Sequence, residues 1–376
     1  MKFHWFLPTG SDGATLTTGT RGVHGPGHDT TAVPGADRHR APDLRYLTQI
    51  ARAAEQMGFD AILTPVGTFN EEAWVTCAAL TQHTERLKFL VAQRPDSMSP
   101  TLAAQMAATF QRHSRDRLLL NVVTGGDPIE QARFGDLLDK AERYARTDEW
   151  LTVLRGALRP EPFDHAGEHY DVRGATVFSP PDPLPGIYFG GSSDQALPIA
   201  ARHADVYLTW GEPPADVAAK LRRVRTLAAD AGRSVRFGIR FHVVARDTSE
   251  QAWAAAERLL TGIDPAHVAR VQATLAASQS TGQARQSGLH AAFRDSGRTS
   301  DLEVHPNVWA GVGLLRGGAG TALVGSHREV ADRIEEYAGL GIEEFVLSGF
   351  PHLEEAYRVG ESVLPLLGTG RAAVAR

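Results

Sequence analysis

Gly190-Gly191-Ser192-Ser193 is a short polar segment whose residue types suit the binding of an anion. Small residues there would expose backbone N–H groups, and serine hydroxyls at the start of a helix can bind a phosphate. The simpler interpretation is that Ser193 caps the following helix, since serine is a common capping residue. Tyr144 also has two interpretations: its hydroxyl could bind a phosphate, or its ring could pack at the surface. The local sequence leaves both readings open.

A second segment, Arg240-Phe241-His242, places an arginine and a histidine two residues apart on a strand. Residues at this spacing point to the same side of a sheet. Because an unpaired buried guanidinium is costly, the pair predicts a site at a strand end, with a salt-bridged structural arginine as the alternative. Together with Arg316 and Trp210, it favours an anionic ligand with planar oxygens, such as a sulfonate, phosphate or carboxylate.

The elements that must position these residues alternate between short apolar strands and longer amphipathic helices. Eight such units in one chain predict an α/β fold, a (β/α)8 TIM barrel, in which strand carboxyl ends form the catalytic face. A doubly wound open sheet is the alternative, but no glycine-rich dinucleotide motif follows the first strand. The predicted strands cover residues 2–8, 61–66, 88–93, 117–124, 187–191, 206–210, 237–245 and 344–349.

Three segments interrupt this alternation. Residues 9–40 form an enlarged loop after strand 1, and the proline-rich residues 159–185 predict a hairpin before strand 5. Residues 264–320 form an insertion between helix 7 and strand 8. Its glycines beside Arg316 make it a candidate lid, because long loops on this face of a barrel often close over the site. We therefore expect a single barrel domain over residues 1–376 with a lid-like insertion at 264–320.

The composition narrows the classes of protein. The 376 residues have a formal charge of −5 and one cysteine, Cys77, which excludes a disulfide framework or a cysteine-based metal cluster within one chain. No apolar run is long enough to span a bilayer, and no basic tract predicts binding to nucleic acid. His24, His28 and His39 lie without carboxylate or thiol spacing, so no metal site is expected. We expect a cytoplasmic enzyme that binds neither membrane nor nucleic acid.

Longer sequence motifs, which together span nearly the whole chain in order, indicate a family. The chain resembles the FMNH2-dependent alkanesulfonate monooxygenases of the bacterial-luciferase-like flavin enzymes. The matching segments are HWFLPT at 4–9, RLKFLVAQRP at 86–95, NVVTGGDP at 121–128, ERYARTDEW at 142–150, YFGGSSD at 188–194, YLTWGEPP at 207–214, RFGIRFHVV at 236–244, NVWAGVGLLRGGAGTALVG at 307–325 and PHLEEAYRVGE at 351–361.

The resemblance implies a two-component reaction, in which a separate NAD(P)H-dependent flavin reductase supplies reduced FMN and O2 is the co-substrate. It implies cleavage of an alkanesulfonate to an aldehyde and sulfite, and a homodimer or homotetramer. The positions that match the family's FMN site are Asn121, Thr124, Tyr144, Gly191, Ser192 and Ser193. Those that match its oxygenation and sulfonate site are Trp210, Arg240, His242 and Arg316. For Arg240 we expect electrostatic stabilisation, because a guanidinium is too basic to transfer protons readily.

Three pocket positions depart from the family pattern. Asn70 occupies the position of the family's cysteine, Phe350 that of its tyrosine in SGYPH, and Gly10 that of its histidine in PTHGDG. These changes predict that the flavin chemistry is retained in a reshaped substrate pocket. The substrate is then a small organosulfonate or, alternatively, a sulfone, an amine-carboxylate or an alkane. A non-catalytic flavin-binding protein is the remaining alternative.

Overall fold

The computed structural model describes residues 1–16 and 40–368, so that most of the enlarged loop at 9–40, with His24, His28 and His39, lies outside the described residues. Strands and helices alternate along the rest of the chain. The strands are β1 (Lys2–Phe6), β2 (Ala61–Thr64), β3 (Lys88–Gln93), β4 (Leu118–Val122), β5 (Phe163–Ala166), β6 (Asp171–Ala175), β7 (Gly186–Phe189), β8 (Val206–Trp210), β9 (Arg236–Arg246), β10 (Glu303–His305), β11 (Val308–Trp309), β12 (Ala322–Ser326) and β13 (Glu344–Ser348).

The helices cover the outside of the sheet or form the insertion. They are α1 (Leu44–Gln56), α2 (Ala73–Leu80), α3 (Pro100–Ser114), α4 (Pro128–Arg133), α5 (Lys140–Ala157), α6 (Ala196–His203), α7 (Pro214–Asp230), α8 (Ser249–Leu260), α9 (Pro265–Ala276), α10 (Thr281–Gly288), α11 (Ala291–Ser296), α12 (His327–Gly339) and α13 (His352–Ser362). Short 3-10 turns connect several of them. Within the described residues, no helix is long and apolar enough to cross a membrane.

Eight parallel strands of the described chain close into a barrel, which confirms the predicted (β/α)8 fold. The order around it is β1-β2-β3-β4-β7-β8-β9-β13, and β13 pairs back to β1 through Phe3 and Phe345. Each barrel strand corresponds to one of the eight apolar runs in the sequence. The open sheet is therefore excluded.

Local signals explain where the helices begin. Asp43 caps α1 by accepting from the N–H of Tyr46 at 2.8 Å, so the helix starts after Pro42 rather than at it. Ser99 caps α3, and Asp139 forms a capping box with Glu142 at the start of α5. Such caps satisfy N–H groups that have no partner inside the helix. The register of these helices over the barrel is thus encoded locally.

The barrel interior is packed at its lower end, which leaves space only at the carboxyl ends of the strands. Its floor is the buried Glu344, which accepts hydrogen bonds from the Tyr188 hydroxyl, the Arg236 guanidinium and His4 Nε2, the last at 2.9 Å. Above it, apolar side chains fill the interior, Phe6 among them. Burial alone would raise the pKa of Glu344, but these partners lower it to about 2. The carboxylate stays ionised as the anchor of this floor.

The interruptions have defined structures. Strands β5 and β6 form the hairpin expected before the fifth barrel strand. The long insertion contains α9 to α11, then β10 and β11. No strand was predicted between residues 320 and 344, but Ala322–Ser326 is strand β12, which pairs in parallel with residues His242 to Arg246 of β9. This strand forms because β9, with eleven residues, extends beyond β8 and exposes its edge there.

Candidate active site

A cavity of about 490 Å³ opens at the carboxyl ends of the barrel strands. Its wall includes residues from the ends of β4, β7 and β8, and it is covered on one side by α9, α10 and the segment that connects them. Polar groups converge in it from both the barrel and the insertion. Clefts of this size and position are the usual ligand sites of TIM barrels. We therefore take this cavity as the candidate active site.

One side of the cavity is the turn between β7 and α6. Gly190, Gly191 and Ser192 line it, and Tyr144 from α5 faces them. Gly191 has a φ of +143°, and a Cβ there would lie 2.7 Å from the Cβ of Ala196. Only glycine allows the chain to pass so close to α6 with this backbone conformation. The turn therefore presents its backbone toward the cavity at the N-terminal end of α6.

Ser193 belongs to the helix start rather than to the cavity wall. Its Oγ accepts from the N–H of Ala196, the first residue of α6, at 3.2 Å, so it performs a capping role. The Tyr144 hydroxyl is hydrogen-bonded to Ser193, and burial raises the pKa of Tyr144. Tyr207 donates to the carbonyl of Gly191 at 2.6 Å and holds the turn from below.

Asn121 and Thr124 also line the cavity, at the end of β4. The hydroxyl of Thr124 lies 3.1 Å from that of Thr147 on α5, which itself donates to the carbonyl of Arg143. Since Thr147 uses its proton on that carbonyl, Thr124 donates to Thr147. Thr124 is thus fixed against α5, whereas Asn121 is half-buried at the cavity surface.

Arg240 and Trp210 line another part of the same cavity. The guanidinium carbon of Arg240 lies 4.0 Å from the centre of the Phe6 ring, so the cation rests on an aromatic face. Trp210 ends β8 and packs against Gly282 of α10, where a Cβ would lie 3.1 Å from the indole. The arginine and the tryptophan therefore meet at the junction of barrel and insertion.

His242 and Arg316 lie beside the cavity rather than in its wall. The ring of His242 stacks on Phe350 at 5.1 Å between centres, and the Arg316 guanidinium lies 4.6 Å from the same Phe350 ring. His242 Nε2 is 3.1 Å from the carbonyl of Ala319, and Nδ1 is 2.8 Å from the hydroxyl of Ser348. Since a carbonyl only accepts, the proton is on Nε2 and the Ser348 hydroxyl donates to Nδ1.

This environment keeps His242 neutral. Burial lowers its pKa well below the ordinary value, and the nearby charges of Arg240 and Arg316 lower it further. The three side chains that the sequence grouped together are therefore electrostatically coupled in the structure. Of the three pocket departures, Asn70 lines the cavity, Phe350 forms the layer behind it, and Gly10 lies in the turn after β1 outside its wall.

The insertion is held over the cavity by buried polar contacts. Gln283 and Gln286 on α10 accept from the N–H groups of Gly318 and Gly320, at 2.9 and 3.0 Å. Glu212, which follows β8, forms ion pairs with Lys220 and with Arg285 of α10. These contacts connect the glycine-rich segment to the barrel through one helix. Ala319, which accepts from His242, is positioned by the same segment.

Two cations in the cavity wall were not among the expected site residues. Arg94 follows β3 and Lys140 begins α5. The sequence placed Arg94 directly after a predicted strand, and this position was the signal that could have identified it as a site residue.

Cys77 is fully buried and donates to the hydroxyl of Thr64 at 3.0 Å, and burial raises its pKa to about 12. It is therefore a core residue. The described residues contain no cluster of three or more groups suited to a metal ion.

A family model described as luciferase-like monooxygenase matches residues 1–344. Among solved structures, the chain is similar to the riboflavin lyase RcaE, with 20% identity, a TM-score of 0.74, and coverage of 98% of this chain and 91% of that one. EDTA monooxygenase EmoA from Chelativorans sp. BNC1 gives 19% identity, a TM-score of 0.74, and coverage of 100% and 96%. An F420-dependent secondary alcohol dehydrogenase is 16% identical with a TM-score of 0.66, and the match covers 97% of this chain and 99% of that one. At these identities the structural likeness supports the fold alone.

Proposed function

The chain belongs to the luciferase-like monooxygenase family, and from this we propose that it uses reduced FMN and O2 to cleave an alkanesulfonate to an aldehyde and sulfite. The observation that supports this most directly is one cavity with a phosphate-type cradle on one side and Arg240 with Trp210 on another. A flavin monooxygenase that acts on a sulfonate must hold a phosphorylated cofactor and an anionic substrate together, and both kinds of group line this cavity.

The cradle fits the phosphate of FMN. Gly191 leaves room that a Cβ would fill, and Ser192 and the Tyr144 hydroxyl face the same space. The adjacent N-terminus of α6 favours negative charge through the helix dipole. Lys140 adds a positive charge to the same cavity. We assign these groups to the phosphate, and Asn121 and Thr124 to the more distant part of the cofactor.

Reduced FMN, when bound, supplies the two electrons that activate O2 for attack at the substrate. The side chains of the protein position and stabilise the reacting groups. Arg240 stabilises negative charge on the sulfonate oxygens, and its place on Phe6 holds it there without reorganisation. His242 keeps its proton on Nε2 through the Ala319 carbonyl and stays neutral, so it adds no charge to compete with the arginines.

The insertion excludes water from this chemistry in our proposal. Residues of α9, α10 and the glycine-rich segment cover the cavity, and Arg316 belongs to that segment. Exclusion of water strengthens the electrostatic interactions inside and prevents unproductive loss of the activated oxygen as peroxide. The insertion is therefore the lid of the active site, and Arg316 connects it to the layer behind the cavity through the ring of Phe350.

The decisive experiment supplies the protein with a flavin reductase, NAD(P)H, FMN and O2 and follows sulfite release over alkanesulfonates of different chain length. We expect sulfite together with the matching aldehyde, and one oxygen atom of that aldehyde derived from labelled O2. The reductase without this protein is the control. Tight binding of reduced FMN without sulfite from any sulfonate would refute the substrate assignment. Labelled product from a sulfone, amine-carboxylate or alkane would replace it.

A further inference from the structure

Asp12 and His352 form a buried pair that the proposed reaction does not use. Asp12 lies in the segment after β1 and His352 is the first residue of α13, and both are 1% exposed. Nδ1 of His352 lies 2.8 Å from Oδ1 of Asp12, and the backbone N–H of His352 donates to Oδ2 at 2.9 Å. Because an ionised carboxylate only accepts, the ring proton at this contact is on Nδ1. One carboxylate therefore fixes both the backbone and the ring of a single residue.

The carboxylate of Asp12 is ionised and is itself held in place. Burial alone would raise its pKa, but the interaction with His352 and hydrogen bonds from His352 and Tyr46 lower it to about 2. The backbone of Asp12 pairs with that of Arg40, since its N–H donates to the Arg40 carbonyl at 3.2 Å and its carbonyl accepts from the Arg40 N–H at 2.9 Å. Arg40 in turn forms an ion pair with Glu354 of α13. Asp12 is therefore a fixed support for His352.

The ring of His352 contacts the two aromatic rings on which the site arginines rest. Its centre lies 5.7 Å from that of Phe6 and 5.3 Å from that of Phe350, which it meets edge to face. The guanidinium of Arg240 lies 4.0 Å from the centre of the Phe6 ring, and that of Arg316 lies 4.6 Å from the centre of the Phe350 ring. Because protein interiors are close-packed, a shift of the His352 ring displaces both aromatic rings. The orientation of one imidazole therefore affects two cations.

Asp12 and His352 act on the site only through other side chains. Neither residue lines the cavity, and Nε2 of His352 is buried without a hydrogen-bond partner among the described residues. The pair is thus out of contact with a ligand in the cavity. Any effect on the reaction must pass through Phe6 and Phe350. A pair that only stabilised the fold would leave the affinity of the folded protein for its substrate unchanged.

We propose that Asp12 is a positioning residue of the active site: through His352 it fixes the rings under Arg240 and Arg316, and so the two guanidinium groups. This inference rests on the proposed function for the roles of the two arginines. Arg240 needs the support because a charge that is already in place stabilises a developing negative charge better than one that must first move. Arg316 needs it because its contact with Phe350 connects the lid to the layer behind the cavity.

The first measurement detects the position of the arginines without any substrate. A guanidinium over an aromatic face has its Nε–H proton shifted upfield by the ring current, and NMR of protein labelled with nitrogen-15 arginine detects this shift; Arg240→Lys and Arg316→Lys assign the two signals. We expect both signals upfield in the wild type and closer to the ordinary arginine range in Asp12→Asn. Glu336→Gln is the matched control, because Glu336 also pairs with a histidine ring, that of His305 at 3.2 Å, and neither lines the cavity. It should leave both signals unchanged.

The second measurement is the dissociation constant of pentane-1-sulfonate, determined by calorimetry on protein loaded with reduced FMN without O2. Asp12→Asn should raise it roughly tenfold, which corresponds to the loss of one charge-assisted hydrogen bond, and should change the affinity for reduced FMN by less than about twofold. In Phe6→Leu, which lacks the ring under Arg240, Asp12→Asn should cause little further loss, because both changes act on the same arginine. His352→Gln is the second variant: it should reproduce both effects and add little to Asp12→Asn.

Unchanged arginine signals in folded Asp12→Asn and His352→Gln would overturn the inference. A loss of sulfonate affinity that is the same with and without the Phe6 ring would also overturn it. Displaced arginine signals in a protein that neither binds nor cleaves a sulfonate would support the positioning role and refute the proposed function. Sulfite release by a protein whose arginine signals do not depend on Asp12 would do the reverse.

Discussion

Replacement of Gly191 by alanine should weaken the binding of FMN, because the phosphate cradle depends on a backbone that only glycine adopts. Alanine at a φ of +143° costs about 1–3 kcal/mol in backbone strain. Its Cβ would lie 2.7 Å from the Cβ of Ala196, whereas apolar carbons pack at about 3.5–4.0 Å. The turn must therefore move by roughly 1 Å away from α6, and the backbone N–H groups and Ser192 move with it.

Loss of one or two charge-assisted hydrogen bonds to the phosphate corresponds to about 2–3 kcal/mol, or a dissociation constant for reduced FMN raised roughly 30-fold to 160-fold. Anaerobic titration followed by flavin absorbance measures this constant directly. Gly232→Ala is the matched control: its φ is +66° and nothing lies within 4 Å of the added Cβ, so it introduces backbone strain far from the cavity. Gly232→Ala should lower thermal stability and leave FMN affinity unchanged.

An affinity for reduced FMN that stays within about twofold of the wild type in Gly191→Ala would show that the turn does not bind the phosphate, because such a change is below about 0.5 kcal/mol. The result would mean that the cofactor phosphate is bound elsewhere in the cavity. A fall in melting temperature alone, equal to that of Gly232→Ala, would show that Gly191 has only a structural role.

Three further predictions concern the barrel floor, the lid and the histidine. The pKa of Glu344, about 2 against 4.5 in the unfolded chain, means that stability increases by about 3 kcal/mol as pH rises from about 2 to 4.5 and is then complete. Glu344→Gln should remove this increase in urea unfolding measured across that range, and an unchanged slope would contradict it. Arg316→Ala should uncouple flavin oxidation from product formation and increase peroxide release; unaltered coupling would argue against its role in the lid. His242 should remain neutral at pH 6 with its proton on Nε2, as read from nitrogen-15 NMR shifts, because burial and two arginines lower its pKa; an imidazolium signal there would contradict the lowered pKa and the hydrogen bond from Ser348 to Nδ1.

The barrel could be predicted from sequence because each strand is a short apolar run buried on both faces, as in Lys88–Gln93. The pairing of β12 with β9 could not be predicted from sequence, because it depends on how far β9 extends beyond β8 and not on any local pattern. Likewise, the position of Arg94 at the end of β3 and the shared face of Arg240 and His242 on β9 were visible in the sequence. The burial of Arg94 was not, because it comes from Gln131 of α4 and from Phe134, which follows that helix.

The same distinction applies to the histidine. Its spacing from Arg240 indicated a shared face, and the structure shows both near Arg316. The hydrogen bond from His242 Nε2 to the carbonyl of Ala319 depends on the path of the glycine-rich segment. Gln283 and Gln286 of α10 hold that segment in place. Contacts of this kind join residues about 80 positions apart, and no periodicity within either segment encodes them.

We propose that this cavity couples oxidation of FMN to cleavage of a carbon–sulfur bond. A single-turnover experiment measures this coupling: the protein is loaded with reduced FMN without O2, mixed with a sulfonate and O2, and assayed for sulfite and peroxide per flavin oxidised. We predict close to one sulfite per flavin with little peroxide, and peroxide in its place when the sulfonate is omitted. One peroxide per flavin with every sulfonate, and no sulfite, would contradict the claim.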